Sequence, residues 1–456
     1  MVEQSRETPA EHGSGEPVET KLLRIAAKAR KERKLKFVNL YHLMNEEMLL
    51  ECFKRLSANK AAGIDEVTKG EYGENLEANI RELVGRLHRM AYRPRPVRRV
   101  YIPKPGSDKR RPLGIPSLED KLVQSALARI LGAIYEEDFT EDSYGFRPGR
   151  SCHDALRALS QAVEWESTNY IAEADIKGFF DNVDHDWMMK MLEHRIADKR
   201  VLRMVKRFLK SGVMEEAEMR ASEEGVPQGG SISPLLSNVY LHYALDLWFE
   251  KGYRRSCKGK ARLIRFADDF VACFQNREDA KRFQAALVER LNKFGLEVEP
   301  TKTKVLEFGR DAEGHARARG GKPETFDFLG FTHYCSRTRD GNRYRMKRVT
   351  ARKKFRAKLA TFKEWLKRNR IMPTQWIMQK VGLKLRGHYA YYGVTDNYRG
   401  VARYHREVTK MLFKWLNRRS QRRSYKWEEF ERLLQIFPLP RPRVRVDLFY
   451  RARMTV

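Results

Sequence analysis

The sequence predicts an α+β fold: a small sheet with helices on one face, followed by a basic, helical C-terminal third. Three observations carry that expectation. Between residues 170 and 334, strand-like and helix-like patterns run in the order strand, helix, helix, hairpin, helix, strand. Within that span RFADDF (265–270) sets two adjacent aspartates between short apolar arms, LI before and VACF after. After Tyr334 the composition changes, and residues 341–370 carry 13 Lys/Arg against one Glu.

Bulk properties narrow the class. A chain of 456 residues has room for two or three domains with a substantial core, and 41% hydrophobic content makes it globular. Ninety-one Lys+Arg against 60 Asp+Glu give a formal charge of +31, which suits a polyanionic partner such as nucleic acid. The bland alternative is a merely basic housekeeping protein. The five cysteines (52, 152, 257, 273, 335) include no C-x-x-C pair and none at zinc-finger spacing from a histidine. That argues for a reducing compartment and against structural zinc. No HExxH pattern occurs, and no apolar run reaches membrane-spanning length. Residues 1–20 are acidic and polar, and are expected to be a disordered lead rather than a secretory signal.

The elements follow in order. KLLRIAAKARKERKLK from Lys21 has helical spacing, and NEEMLLECFKRLSANKAAGID is a second amphipathic stretch with Asn45 as N-cap and Gly63 as its stop. Residues 74–90 place Leu76, Ile80, Leu83, Leu87 and Met90 on one helical face. VRRVYI and RPLGI read as hairpin arms around PGSDK, and Ser117 caps the next helix with Asp120 three residues on. A strand ends near Asp175, two helices follow, and the Gly/Pro-rich GVPQGGSISPLLSN feeds a long apolar helix. RLIRFADDFVACF is a hairpin, and ETFDFLGFTHY gives a further strand pair. A boundary is placed near residue 335, and the chain shows no internal repeat.

Adjacent carboxylates in an apolar hairpin repel one another and lose hydration. For a lone Asp-Asp the bland reading is a polar turn. Here Asp175 ends a neighbouring strand-like run, and a third carboxylate would complete a site for two divalent metals. GVPQGG lets backbone approach closely and offers the Gln228 amide, while Lys104, Arg110 and Arg111 lie on a basic hairpin within reach of a triphosphate. These are the parts of nucleotidyl transfer, a chemistry of positioning and charge neutralisation.

The blocks IPKPGSDKRRPLGIPSLEDK, SYGFRPGRSCHDAL, EADIKGFFDNVDHD, GVPQGGSISPLLSN, RFADDF, GLEVEPTKTK and FDFLGF stand in the order of the reverse-transcriptase blocks. Over roughly residues 30–440 the chain resembles bacterial group II intron-encoded reverse transcriptase/maturases. That resemblance implies a right-hand polymerase. Residues 21–170 would be an N-terminal extension and fingers, with the palm beginning near their end, and 171–335 the palm with its small antiparallel sheet. Residues 336–417 would form an α-helical thumb or maturase domain, and 418–456 a basic DNA-binding tail. It also implies roles. Asp175, Asp268 and Asp269, with the Ile176 carbonyl, would hold two Mg2+ ions, Mn2+ being able to substitute. Phe180 would exclude the ribose 2'-OH. Gln228 and Gly229 would line the incoming dNTP, Lys104 and Arg111 would hold its phosphates, and Lys302, the lysine of the block after the metal hairpin, would join the nucleotide site. Leu329, Gly330 and Phe331 would grip the primer end.

One residue departs from the family pattern. The usual Tyr before Ala-Asp-Asp is Phe266 here, so a stacking ring is kept and a hydroxyl is lost. Trp365, Trp376, Tyr389, Tyr391, Tyr392 and Trp415, interleaved with Lys/Arg, suit a surface against structured RNA; the bland reading makes most of them bundle core. Arg418, Arg419, Arg422, Arg423 and Lys426 read as phosphate contacts. Nothing in the sequence resembles an HNH-type endonuclease, an ending like that of class C intron proteins. The partners expected are group II intron RNA, an RNA template with a DNA primer, dNTPs and target DNA, with no membrane, in the bacterial cytoplasm at the nucleoid. The intact carboxylates count against a splicing-only maturase, and a domesticated enzyme of DNA repair or phage defence is the other alternative.

Overall fold

Both parities of the central strands are largely apolar, and that sets the architecture. In IAEA (171–174) and FVACF (270–274) neighbouring side chains point to opposite faces, and each face receives hydrophobic groups. The computed structural model describes residues 16–103, 110–215, 218–220, 225, 229–338, 340–419 and 425–449. Its strands are β1 (Val97–Pro103), β2 (Arg110–Ile115), β3 (Tyr170–Ala174), β4 (Val213–Glu215), β5 (Glu218–Arg220), β6 (Ala261–Phe266), β7 (Asp269–Phe274), β8 (Lys304–Glu307), β9 (Thr325–Phe328), β10 (Phe331–Arg337) and β11 (Tyr344–Thr350). They form three sheets, ordered β2-β1-β4-β5, β6-β7-β3-β8 and β11-β10-β9.

The central sheet, β6-β7-β3-β8, is antiparallel throughout. Ala172, Ala174, Leu263, Phe270, Ala272 and Phe274 enter one core with Phe283 and Leu287 of the helix Arg277–Asn292. Ile171, Ile264, Val271 and Cys273 enter a second core with Leu156 and Leu159 of the helix Cys152–Trp165. Helices therefore cover both faces, not one as the element order suggested. The cause is visible in the strands, since a sheet apolar on both sides must be covered on both sides. Burying each large side chain stabilises by about 1.5–3 kcal/mol, so this sheet is a firm base for the hairpin it carries.

The first helix opens at Val18, inside the stretch expected to be a disordered lead; residues 1–15 lie outside the described residues. Asn45 caps Glu46–Arg55 by accepting from Met48 N at 3.0 Å. That helix ends at Arg55, well before Gly63. Gly63 is used for close approach instead, because a Cβ there would fall 2.5 Å from Ser117 Cα. Ser117 caps Leu118–Asp138 as expected. The basic hairpin is present as β1 and β2, with Lys104 and the expected PGSDK turn outside the described residues.

The compositional boundary at 335 falls inside a strand: β10 runs on to Arg337 and pairs with β11 as far as Thr350. The helices Arg352–Asn369, Thr374–Tyr392 and Tyr398–Leu416 follow. Val401, Tyr404, Val408, Leu412 and Trp415 recur at helical spacing and are buried. Tyr389 and Tyr392 are buried too, while Trp365, Trp376 and Tyr391 are half-buried and pack on the same core. These aromatics pack on the bundle core, in line with the bland reading, because their spacing matches the apolar stripe of each helix.

The tail is docked. Arg445 N and Val446 N donate to Gly393 O at 2.6 and 3.1 Å, and Leu448 is buried in the second core. Of the expected phosphate contacts, Arg419 is spent on structure, donating to Met372 O (2.7 Å) and Thr374 Oγ1 (2.8 Å) where the helix Thr374–Tyr392 begins. Arg418 and Lys426 are exposed, and Arg422 and Arg423 lie outside the described residues. No helix among the described residues is long and apolar enough to cross a membrane.

Candidate active site

The site grows out of one strand pairing. β3 and β7 run antiparallel with Ala174 opposite Phe270. One step further, Asp175 and Asp269 stand opposite each other just beyond the end of the ladder. Ala267 and Asp268 make the two-residue turn between β6 and β7, with Ala267 at φ 57°. The turn thus delivers two carboxylates and the neighbouring strand end a third. Like charges placed directly opposite are destabilising, so the arrangement calls for a compensating cation.

Electrostatics locate the strain. Asp269 keeps an open path to water, yet protein surrounds most of its carboxylate. That desolvation, then the charges of Asp268 and Asp175, push its carboxyl up to about 6, against the pull of Lys354 and Lys302. Lys302 Nζ, from the short helix Pro300–Lys302, pairs with Asp175 Oδ2, and this hydrogen bond holds its ammonium above the ordinary lysine range. Asp175 is turned toward Lys302. Among the described residues no three His, Cys, Asp or Glu side chains converge as a metal cluster. The donor set nevertheless suits Mg2+ in kind: three carboxylates, two of them opposed across a strand pair, with their mutual repulsion only partly offset by lysines. Ile176 is buried, in an isolated bridge with Val298, and Glu299 N donates to Asp175 O at 2.8 Å.

Beneath the turn lies a network that sequence reasoning missed. Arg265 is 1% exposed. Its Nε and Nη2 donate to the Asp246 carboxylate at 2.7 and 2.5 Å, Nη2 also to Ser143 Oγ at 2.7 Å, and Nη1 to Asn238 Oδ1 (3.0 Å) and Ala267 O (2.9 Å). All five guanidinium N–H groups are used. Asn238 Nδ2 in turn donates to Gly145 O at 2.7 Å. A Cβ on Gly145 would sit 2.2 Å from Ala267 N, so only glycine lets the segment around it lie against the turn. The one available signal was polar residues inside an apolar run, Asn238 and Asp246 in SNVYLHYALDLWF.

The remaining expected residues fall as follows. Phe180 is half-buried, its ring edge-on to buried Phe179 at 5.4 Å. Gly225 N donates to Val183 O at 2.9 Å, tying the glycine-rich segment to the turn that carries Phe180. Gly229 is exposed with φ 118°, and a Cβ there would meet Gly114 O of β2 at 2.3 Å. It therefore lies against the strand that contains Arg111. Gln228 lies outside the described residues, as does Lys104. Leu329 and Gly330 form the β9–β10 turn, both with positive φ (48° and 78°), and Phe331 opens β10. Phe266 is half-buried, opposite Asp269 in the ladder.

The comparisons with known proteins agree with this geometry. Residues 102–333 match the model described as "Reverse transcriptase (RNA-dependent DNA polymerase)". A right-hand polymerase palm is the class that the sheet and its carboxylates define, and the chain belongs to the reverse transcriptase family. Among its relatives is the group II intron-encoded protein LtrA of Lactococcus lactis subsp. cremoris, 39% identical over 207 residues, 45% of this chain and 34% of that one. Protein YkfC of Escherichia coli K12 is 38% identical over 250 residues, 53% of this chain and 64% of that one. The mitochondrial nuclear intron maturase 1 of Arabidopsis thaliana is 30% identical over 95 residues, 21% of this chain and 13% of that one. The matches span about a third of LtrA and just under two thirds of YkfC.

Proposed function

We propose that this chain is an RNA-directed DNA polymerase of the group II intron-encoded type, which also binds its intron RNA to promote splicing and mobility. The observation that carries this is the opposition of Asp175 and Asp269 across the β3–β7 pair, with Asp268 at the adjoining turn. Repulsion at that spot has a purpose if divalent cations and a triphosphate meet there. Asp175, Asp268, Asp269 and the Ile176 carbonyl would hold two Mg2+ ions, or Mn2+. Such ions, when bound, neutralise charge on the transferring phosphoryl group and favour the ionised primer 3'-hydroxyl. The protein's own groups do the positioning. Lys302, paired with Asp175, would leave it for the triphosphate, alongside Lys104 and Arg111. Phe180 would stand where a ribose 2'-OH would enter, and Gln228 with Gly229 would border the base and sugar. Leu329, Gly330 and Phe331 would hold the primer end.

The formal charge of +31 fits long polyanions, namely intron RNA, the RNA–DNA duplex and target DNA, and a nucleoid setting. Within the tail the exposed Arg418 and Lys426 are the described candidates for phosphate contact. The deciding experiment is primer extension on poly(rA)/oligo(dT) with Mg2+, run beside Asp268→Asn. The variant should lose dNTP incorporation and keep RNA binding within a few fold. Undiminished extension by Asp268→Asn would sink the metal-site assignment.

A further inference from the structure

The turn Leu329-Gly330 does not hold its shape unaided. Leu329 is a non-glycine residue at φ 48°, a region that side chains disfavour by about 1 kcal/mol or more. Something outside the turn must favour that conformation. The only side-chain hydrogen bond recorded to its backbone among the described residues comes from the far end of the helix Thr374–Tyr392: Tyr391 Oη donates to Leu329 O at 2.9 Å, from 62 residues away. The neighbouring rings reinforce it. Phe331 stacks on Tyr391 with ring planes 10° apart and centroids 6.0 Å apart, and lies 5.3 Å from the ring of Tyr392. A Cβ on Gly330 would come 3.1 Å from Tyr392 Oη, so this pair of tyrosines closes over the turn.

Tyr391 is also anchored from the opposite side. His153 Nε2, at the start of the helix Cys152–Trp165, hydrogen-bonds to Tyr391 O at 2.9 Å. Ala351 N, immediately before the helix Arg352–Asn369, donates to Gly330 O at 3.0 Å. The turn is thereby fastened to two helices of the bundle, and Tyr391 to the helix that backs the central sheet. The ring lies close enough to the carboxylates for Asp269 to raise its phenol further, beyond the larger effects of burial, Cys152 and Tyr392.

We propose that Tyr391 is a positioning residue for the primer terminus: its hydroxyl, donated to Leu329 O, couples the seating of the helical bundle to the turn that presents the primer 3' end to the carboxylates. This rests on the polymerase reading above. A bundle that closes on a well-paired duplex would seat Tyr391 and hold the turn in place. A distorted duplex end would unseat it, and the primer hydroxyl would be misplaced even though the duplex stays bound.

The test uses the full chain and defined RNA templates with DNA primers, matched or mismatched at the 3' end. Tyr391→Phe keeps the ring stack and removes only the hydroxyl. We expect its single-nucleotide incorporation on the matched primer to fall roughly fivefold, with duplex Kd within about twofold of wild type. The ratio of matched to mismatched extension should fall as well, an effect that simple loosening of the fold would not produce. Tyr391→Leu removes the stack also and should lose more on the same two readouts. A Tyr391→Phe enzyme with wild-type incorporation and discrimination overturns the inference and leaves the polymerase reading standing. So does a loss matched by an equal loss of duplex affinity and melting temperature. A wild-type chain that incorporates no dNTP overturns that reading, and this inference with it.

Discussion

Asp246 holds two prongs of the buried Arg265 guanidinium, at 2.7 and 2.5 Å, directly under the turn that carries Asp268 and Asp269. The pair is almost wholly removed from water, with side chains 1% and 3% exposed. Such a pair adds little net stability relative to an apolar pair, but breaking it strands a buried charge. Here the stranded charge would be the one that fixes Ala267 O, and through it the carboxylate turn. Asp246→Asn should lower unfolding stability by about 3–5 kcal/mol in urea titrations. Arg265→Lys should be nearly as harmful, because one ammonium cannot reach five separate acceptors. An unchanged urea midpoint for Asp246→Asn would show that the network does not bear on the fold.

Much of this site was legible, for physical reasons that also mark where legibility ends. RLIRFADDFVACF announces its hairpin through two apolar arms around a polar centre, and that hairpin is present. That Asp175 faces Asp269 depends on strand register between segments some 90 residues apart, which local pattern does not encode. Asp246 is a single charge inside an apolar helical run, and its meaning comes from Arg265, its buried partner across the fold. The docking of the C-terminal tail was harder to read than its charge. Its arginines dominate the local pattern, while Val446 and Leu448, two residues apart, are the strand-like signal of docking. Tyr391 and its neighbours were weighed as an RNA surface because aromatic-basic interleaving looks the same on a bundle core and on a binding face.

Phe180 offers a sharper test of substrate choice. Its ring is held edge-on against Phe179, which is 3% exposed and anchors the short helix Phe179–Asp181. Phe180→Ala therefore removes the bulk proposed to face the ribose 2'-position without disturbing the anchor. The variant should accept ribonucleotides with a relative kcat/KM raised roughly 10- to 200-fold, the range set by one to a few buried methylene-sized groups. Single-nucleotide extension with dATP against ATP on one primed template measures it. If dATP use changes and ATP use does not, Phe180 is not the group that senses the 2'-hydroxyl.

The helical bundle should show its own pH signature. His388 is buried between Tyr404, with ring centroids 3.7 Å and planes 11° apart, and Tyr392 at 4.8 Å. Burial first, then the charge of Lys358, lowers its pKa to about 3. The unfolded chain takes up a proton at this histidine below about pH 6.5, and the folded chain does not until near pH 3. Stability held by neutral His388 is therefore fully present above about pH 6.5 and is lost as pH falls toward the folded value, by about 2 kcal/mol at pH 5. His242, lowered to about 4 chiefly by burial, acts in the same direction, so the wild-type slope alone does not isolate His388. His388→Phe keeps a ring in the stack and removes the titration. The difference between wild-type and variant unfolding free energies, measured by urea titration from pH 7.5 to 4.5, should shift in the variant's favour as the pH drops. A difference that stays flat across that range would mean that His388 titrates in the folded bundle as it does in the unfolded chain, and that the stack does not hold it neutral.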